Sequence, residues 1–394
     1  MKKVFYLHKK ICYNERMFNL DKCISGNMYV FGHGILRACA YIHDGRIASL
    51  GEYDEKYALP DKYVILPGFI DKHIHGAGGE DCMRSNSALK KMSSVLIKEG
   101  VTRFLPTTMT GPQEDVLSAL KVMGEQISRG DFDGAKPIGI HLEGPFIASE
   151  KCGAQPPEDI LPFSEKTLDE MISASKEKIK QVTYAPEKNP GMTAYLVKKG
   201  IVASVGHTVA TAKEVLQAEK DGATSLTHVY NAMTGLSHRN CGTVGGAMLS
   251  EMYCELICDG KHVEKEGIQA LYKTAKGRIC LISDATEAKD LPEGEYFLGK
   301  NKIIVKDSLA RLPDGTIAGS VLKMNDAVKN FRDFCNITTE EAVDAATIVP
   351  ARCLDIDKEC GSIQIGKYAD FAVCDENLSV KYTVREGKVV YKQI

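Results

Sequence analysis

The sequence predicts an α/β fold: a closed (β/α)8 TIM barrel of parallel strands and interposed helices, with a small β-sandwich domain built from both termini. Three observations predict it. From Pro67 onward, short apolar runs alternate with helical stretches until eight strands have been counted. Four of those helical stretches end at Gly100, Gly200, Gly222 and Gly277, and glycine accepts the left-handed turn that closes a helix. Both ends of the chain, by contrast, read as strands and tight turns only. The expected organisation is therefore a β-domain from 1–66 and 356–394 around a barrel at 67–355. A doubly wound open sheet is the runner-up, weakened because neither GxGxxG nor a P-loop follows the first strand.

The first segment reads as strands at Lys3–Tyr6, Met28–Phe31, Cys39–His43 and Arg46–Leu50, with Asp44-Gly45 as a hairpin turn between the last two. The barrel strands follow at Phe69–Ile74, Thr102–Thr107, Ile138–Leu142, Val182–Ala185, Ile201–Val205, Thr224–Thr227, Cys254–Cys258 and Arg278–Ile282. Helices are expected at Ala88–Glu99, Glu114–Ser128, Glu165–Ser175, Met192–Lys199, Thr211–Asp221 and Glu264–Lys276. An insertion, Glu295–Gly319, carries strand-like Lys302–Lys306, and helices follow at Met324–Cys335 and Thr339–Ala346. The last segment returns to strands at Ser362–Ile365, Phe371–Cys374, Lys381–Arg385 and Lys388–Tyr391, with Glu386-Gly387 as a turn. Two separate terminal hairpins packed on the middle are the alternative to one shared β-domain.

Composition bounds the function. The 394 residues are 44% hydrophobic and 26% charged, enough to bury a large core. A net charge of −2 gives no electrostatic case for nucleic acid or an anionic membrane. The 13 cysteines lack a CxxC or a regular ladder, which suits a reducing cytoplasm better than a disulfide framework. No apolar run approaches the ~20 residues that span a bilayer, and Met1–Lys10 lacks the apolar core of a secretory signal.

Chemistry gathers at the strand ends. In Ile138-Gly139-Ile140-His141-Leu142-Glu143-Gly144-Pro145-Phe146 a short buried strand is stopped by Gly-Pro, leaving Glu143 at its carboxyl end. A carboxylate there is expensive to desolvate unless a cation or donors receive it. His73 and His75 close the first strand, and residues i and i+2 share one face, so both imidazoles can address one cation. His207 closes the fifth strand, His228 the sixth and Asp284 the eighth. Each alone reads as a satisfied structural residue. Six such groups on five strands, at the end where α/β barrels build their sites, read as a divalent-metal ligand set. His141, inside its strand, is read as a buried supporting histidine.

These residues resemble a known family. The His-x-His, the later histidines and the aspartate are similar to the amidohydrolase superfamily. The pieces His141-Leu142-Glu143-Gly144-Pro145-Phe146, Gly206-His207-Thr208, Thr227–Met233, Asp259-Gly260-Lys261-His262 and Ser283-Asp284-Ala285 resemble, within it, the N-acetylglucosamine-6-phosphate deacetylases. The resemblance implies hydrolysis of N-acetyl-D-glucosamine 6-phosphate to D-glucosamine 6-phosphate and acetate. It also implies one or two divalent metals per chain (Zn, Fe or Mn). Glu143, His207 and His228 would hold the principal ion, and His73 and His75 a second, with Glu143 bridging. Asp284 would be the general acid and base. Ala154, Asn231, Ala232 and the segment Ile317-Ala318-Gly319 would contact substrate, and Arg239 and His262 would hold the phosphate. A phosphate ligand in this family can come from the neighbouring subunit, so a homodimer is implied.

One departure stands out. Single-metal relatives often carry a histidine directly after the alanine matching Ala154; here Gln155 stands in that place and cannot carry a charge. Either Gln155 polarises the substrate carbonyl less strongly, or a second metal at His73 and His75 does so. Read alone, Arg239 is a surface arginine and His262 a structural histidine. The glycine runs Gly76–Gly79 and Gly242–Gly246 are weak phosphate-cradle signals that mobile loops explain equally well. Lys9-Lys10 and Lys90-Lys91 read as solvated charges. Rival functions are an amidohydrolase for another N-acetyl amino sugar phosphate or a cyclic amide, and a non-catalytic barrel kept as a binding module.

Overall fold

β1 (Lys22–Val30), β2 (Gly34–His43) and β3 (Arg46–Glu52) form an antiparallel meander at the start of the computed structural model, which describes residues 22–393. The strand read at Lys3–Tyr6 lies outside the described residues. Asp44 and Gly45 both take positive φ (47° and 74°), the conformation the Asp-Gly pair accepts in a two-residue hairpin. A disulfide joins Cys23 in β1 to Cys39 in β2, while the other ten described cysteines are free. β4 (Val64–Pro67) then runs parallel to β1.

The middle alternates as the sequence predicts. β5 (Phe69–Ile74) pairs in parallel with β6 (Val101–Pro106). β7 (Ile140–Glu143), β8 (Ile179–Tyr184), β9 (Val202–Val205), β10 (Ser225–Leu226), β11 (Tyr253–Ile257) and β12 (Ile279–Ile282) make a six-stranded parallel sheet in chain order. A parallel bridge between Thr107 and His141 links the two groups. At the far edge Asp284 N donates to His73 O and His75 N to Ala285 O, both at 2.9 Å. The parallel sheet thus curls until the residues just past its last strand meet the end of its first, while Leu281 N in β12 and Ile70 N in β5 donate to Ala345 O and Ala346 O. β5, β6, β7 and β12 are buried at every residue, as strands covered on both faces must be.

Helices α1 (Ala88–Leu96), α2 (Gln113–Arg129), α3 (Glu165–Ala174), α4 (Met192–Lys198), α5 (Ala212–Lys220), α6 (Gly242–Leu249) and α7 (Lys265–Thr274) lie between successive parallel strands. α5 begins at a capping box in which Thr211 and Glu214 satisfy each other's backbone N–H. α6 is not among the expected helices, because Gly242, Gly245 and Gly246 read as loop. The glycines serve close packing instead: a Cβ on Gly246 would lie 2.5 Å from Val215 Cβ on α5.

β13 (Gly294–Leu298), β14 (Asn301–Lys306) and β15 (Leu309–Arg311) form an antiparallel insertion with its own apolar cluster. Asn301 Nδ2 donates to Ala154 O at 2.8 Å and Gly299 N to Asp81 Oδ2 at 3.1 Å, fixing the insertion against the carboxyl ends of the strands. α8 (Met324–Cys335) follows; the expected helix at Thr339–Ala346 is α9 (Thr339–Asp344), succeeded by α10 (Ile348–Cys353).

The chain closes with β16 (Phe371–Cys374), β17 (Val380–Arg385) and β18 (Lys388–Lys392). Both termini share one sheet, in the order β18-β17-β16-β4-β1-β2-β3. Two separate hairpins are not what forms, and the expected sandwich is corrected to this single seven-stranded sheet. The physical reason is the period of two. Ile65, Phe371 and Val373 face a local cluster, whereas the alternate residues Leu66, Ala372 and Cys374 join the main core, so the central unit covers one face in place of a second sheet. Ser362–Ile365 is not a strand; Ile363 makes a single bridge to Val30.

Gly246→Ala is expected to destabilise the protein by about 1–3 kcal/mol, as overpacking does, and to lower the thermal midpoint. Gly130→Ala, where nothing lies within 4 Å, adds no such clash and tests only its positive φ. An unchanged midpoint for Gly246→Ala would show that the α5–α6 contact yields freely.

Candidate metal centre

The carboxyl ends of the parallel strands converge on Glu143, the last residue of β7. Its Oε1 lies 3.0 Å from His228 Nε2, 3.3 Å from His207 Nε2 and 3.4 Å from His73 Nε2. Its Oε2 lies 3.5 Å from His75 Nε2 and accepts from Gln155 Nε2 at 3.0 Å. Asp284 Oδ1 stands 3.1 Å from His75 Nε2 and 3.4 Å from His73 Nε2. All six side chains are buried or nearly so. Three of them sit on left-handed backbone just beyond their strands, with φ of 48° at His207, 29° at His228 and 49° at Asp284. Non-glycine residues reach that region at a cost, and functional sites are where such strain collects.

Three of the four imidazoles are fixed on their far side, while His228 Nδ1 is buried with no hydrogen-bond partner in the protein. His75 Nδ1 donates to Thr107 O at 3.0 Å, His207 Nδ1 to Lys151 O at 2.7 Å, and His73 Nδ1 to Glu255 Oε2 at 3.0 Å. A ring held this way presents its other nitrogen as a ligand atom. His73–His75–Glu143 and Glu143–His207–His228 each bring three ligand atoms within 4.8 Å of one another. His73 Nε2 is buried with no hydrogen-bond partner in the protein. Burial raises the Glu143 carboxyl, but the electrostatic influence of the adjacent His73 and the bonds from His207 and His228 outweigh it and hold the group well below the usual range. Burial lowers His75 and His228, yet Asp284 and Glu143 for the one, and Glu143 for the other, raise both to about 9. Protons are thus held where cationic charge is demanded. Buried imidazoles around a shared carboxylate are a donor set that fits one or two divalent metals.

A cavity of about 320 Å³ opens above this cluster. His75, Glu143, His207, His228 and Asp284 form its floor, and Ala154, Gln155, Asn231, Ala232, His262, Ile317, Ala318 and Gly319 are brought together in its lining. His73 lies beneath, fully buried. Arg239 is not brought in: it stands on an exposed turn and does not line the cavity. His262 Nδ1 pairs with Asp259 Oδ2 at 2.7 Å, and its Nε2 has no partner in the protein. Gln155 is engaged at both ends. Its Oε1 accepts from Thr110 N at 2.9 Å and from the Thr110 hydroxyl, which leaves its NH2 for Glu143. His141 Nε2 meets Thr183 Oγ1 at 2.7 Å, and burial keeps its pKa well below the ordinary value, so it is a neutral core histidine.

Sequence reasoning missed Met109, Leu298 and Thr316 in the cavity wall, and Lys72, Gln181 and Glu255 below the cluster. The available signal was the charge inside apolar strands, Lys72 in β5 and Glu255 in β11.

Residues 64–390 match the amidohydrolase family. The chain belongs to that family. An N-acetylglucosamine-6-phosphate deacetylase from Lysinibacillus sphaericus is 37% identical over 359 residues, 89% of this chain and 92% of that protein. An N-acetylgalactosamine-6-phosphate deacetylase from Escherichia coli O157:H7 is 34% identical, covering 88% of this chain and 93% of that one. Among solved structures, the N-acetylglucosamine-6-phosphate deacetylase of Thermotoga maritima superposes with a TM-score of 0.87 at 34% identity, over 94% of this chain and all of that one. Amidohydrolases depend on metals, and the two His/Glu groups of this member are able to hold them. Among the described residues, no helix is long and apolar enough to cross a membrane.

The raised histidines give a sign to the pH dependence of the metal-free protein. Their stabilising protonation is complete below the unfolded value of about 6.5 and is lost as pH rises through the folded value of about 9. The thermal midpoint of chelator-treated protein is therefore expected to fall between pH 6.5 and 9 and to recover when Zn²⁺ is added. A midpoint flat across that window would mean the histidines carry no such protons.

Proposed function

We propose that this chain is a metal-dependent deacetylase hydrolysing N-acetyl-D-glucosamine 6-phosphate to D-glucosamine 6-phosphate and acetate in amino-sugar catabolism. The observation that carries the reading is Glu143, whose two oxygens face four imidazoles in the floor of a cavity that also holds Asp284. The named activity of the relatives at 34–37% identity supports the substrate. Within this reading the curled parallel sheet is a closed (β/α)8 barrel over 67–355, and the flanking segments 1–66 and 356–394 form the small domain.

Glu143, His207 and His228 would hold the principal ion and His73 and His75 a second, with Glu143 between them; Zn, Fe or Mn suits the set. A bound ion supplies Lewis acidity at the amide carbonyl and water acidified to a pKa of about 7. The residues do the rest. Burial raises the Asp284 carboxyl, but the electrostatic influence of the adjacent His73 and the bond from His75 bring it below its ordinary value, so it is ionised and ready to accept a proton. It takes the proton of the attacking water as the C–O bond forms and gives it to the nitrogen as the C–N bond breaks. Gln155, tied to Thr110 and Glu143, is the holder of Glu143 and leaves carbonyl polarisation to the His73–His75 position. Ala154, Asn231, Ala232, His262 and Ile317-Ala318-Gly319 position the sugar phosphate. Gly319 cannot be larger, because a Cβ there would lie 2.6 Å from Thr286 Cγ2 and 3.0 Å from Asp284 O.

Arg239 reaches the phosphate bound by a neighbouring subunit in a homodimer, which agrees with its exposed place outside its own cavity. The ten free cysteines agree with a cytoplasmic setting. A second reading has an observation of its own: the E. coli relative acts on the galactosamine epimer, so N-acetylgalactosamine 6-phosphate is the competing substrate.

Acetate release from both epimers, phosphorylated and not, tests the reading: N-acetylglucosamine 6-phosphate is expected to be turned over fastest. Arg239→Ala removes a charge-assisted bond of about 1.5–3 kcal/mol, roughly ten- to over a hundredfold in kcat/KM, on phosphorylated sugars only. Equal losses on unphosphorylated sugars would remove Arg239 from the phosphate. Asp284→Asn is expected to keep the metal and the fold while turnover falls at least a hundredfold, about the contribution of a positioned proton carrier. Near wild-type turnover in that variant would require another proton carrier.

A further inference from the structure

Below the ligand groups lies a carboxylate that the mechanism above does not use. Glu255, in β11, is wholly buried, and four donors converge on it. Lys72 Nζ stands 2.5 Å and Gln181 Nε2 2.8 Å from its Oε1. His73 Nδ1 stands 3.0 Å and the His228 backbone N–H 3.3 Å from its Oε2. One oxygen therefore serves the side chain of one ligand group and the left-handed backbone of the other.

His73, His141 and Glu255 also bring ligand atoms within 4.8 Å of one another, which raises a rival role as a third metal position. The contacts argue against it. A carboxylate offers about four acceptor positions, and here four donors take them. The ammonium of Lys72, fully buried and in contact with Oε1, would also repel a second cation placed there.

We propose that Glu255 is a positioning residue for the metal centre: by accepting the Nδ1 proton of His73 it fixes the tautomer that leaves Nε2 bare toward Glu143 and Asp284. Its second contact steadies His228, whose φ of 29° lies outside ordinary strand geometry. Lys72 and Gln181 hold the other oxygen, so the carboxylate cannot rotate away from the histidine. The inference rests on the metal-centre reading above and names what orients it.

The first test needs no variant of Glu255. In Zn²⁺-loaded wild-type protein with ¹⁵N-labelled histidines, two-bond proton–nitrogen NMR reads each tautomer, and the His73 ring is assigned by its loss in His73→Asn. Expected is a proton on Nδ1 and none on Nε2. A proton on Nε2, or an Nδ1 bound to metal, overturns the proposal. The second test is a Co²⁺ titration of metal-free protein followed by visible absorption. Glu255→Gln is combined with Lys72→Met so that no buried charge is left unpaired. Wild type is expected to bind two equivalents. The double variant is expected to bind one as before and the second about 10–100-fold more weakly, the usual cost of losing such a partner. Equal affinity for both equivalents in the double variant overturns the proposal, and should that variant not fold, the tautomer decides. A wild type that binds no Co²⁺ at all sinks the metal-centre reading itself, a different failure from two full equivalents in both proteins.

Discussion

A carboxylate surrounded by imidazoles, away from water, is the constraint on which the rest of this structure depends. Desolvating an ionised group costs several kcal/mol, and the cost is recovered only when opposite charge and hydrogen bonds stand in fixed places. Glu143, at the end of β7, draws its opposing imidazoles from the carboxyl ends of three other strands, β5, β9 and β10, and β12 leads into Asp284 beside them. A sheet curled until β12 meets β5 brings those five ends together, and the backbone bond from Asp284 N to His73 O is made by two of the site's own residues.

The same demand explains the unusual interior. Lys72 pairs with Glu255, and Lys289 with Glu99 at 2.9 Å, all four inside the core. Apolar residues of equal volume often serve stability as well or better, so stability alone does not account for these pairs. Removing one partner leaves an uncompensated charge and costs about 3–5 kcal/mol, which makes the pairs interdependent once present. The Lys72–Glu255 pair lies directly beneath the His73 ring and the His228 backbone and contacts both through Glu255.

Much of this was legible in the chain. The alternation from Pro67 and the glycines closing helices located eight strands, and the polar residues at strand ends are the ones the fold brings together around Glu143, because each is a local signal at a predictable place. What escaped depends on distance in three dimensions. α6 was unreadable because its glycines report the approach of Val215 and not a loop. The sandwich was expected because two β-rich termini seemed to need a second sheet, whereas alternate residues of β4 and β16 find their cover in the central core. Glu255 and Lys72 escaped notice, since nothing in either strand announces the other across 183 residues. Arg239 is informative in the opposite sense: its sequence context matched a phosphate ligand, and its position on one chain does not reach the cavity.

The left-handed residues tie geometry to chemistry. His207, His228 and Asp284 each stand two positions beyond the last residue of a strand, and Gly144, with φ of 77°, follows Glu143 directly. Extended backbone at those points would carry the chain onward and turn alternate side chains away from the axis. A left-handed step breaks the strand and turns the side chain inward over the cluster. Three non-glycine residues in that region cost on the order of 1–3 kcal/mol each, and glycine would relieve the strain but remove the ligand. The strain is held by bonds that the site itself makes: Asp284 N to His73 O, His228 N to Glu255, and Ala148 N to His207 O at 2.8 Å. The chain keeps histidine or aspartate where backbone preference would choose glycine, and the buried hydrogen bonds beneath these residues are what make that choice tolerable.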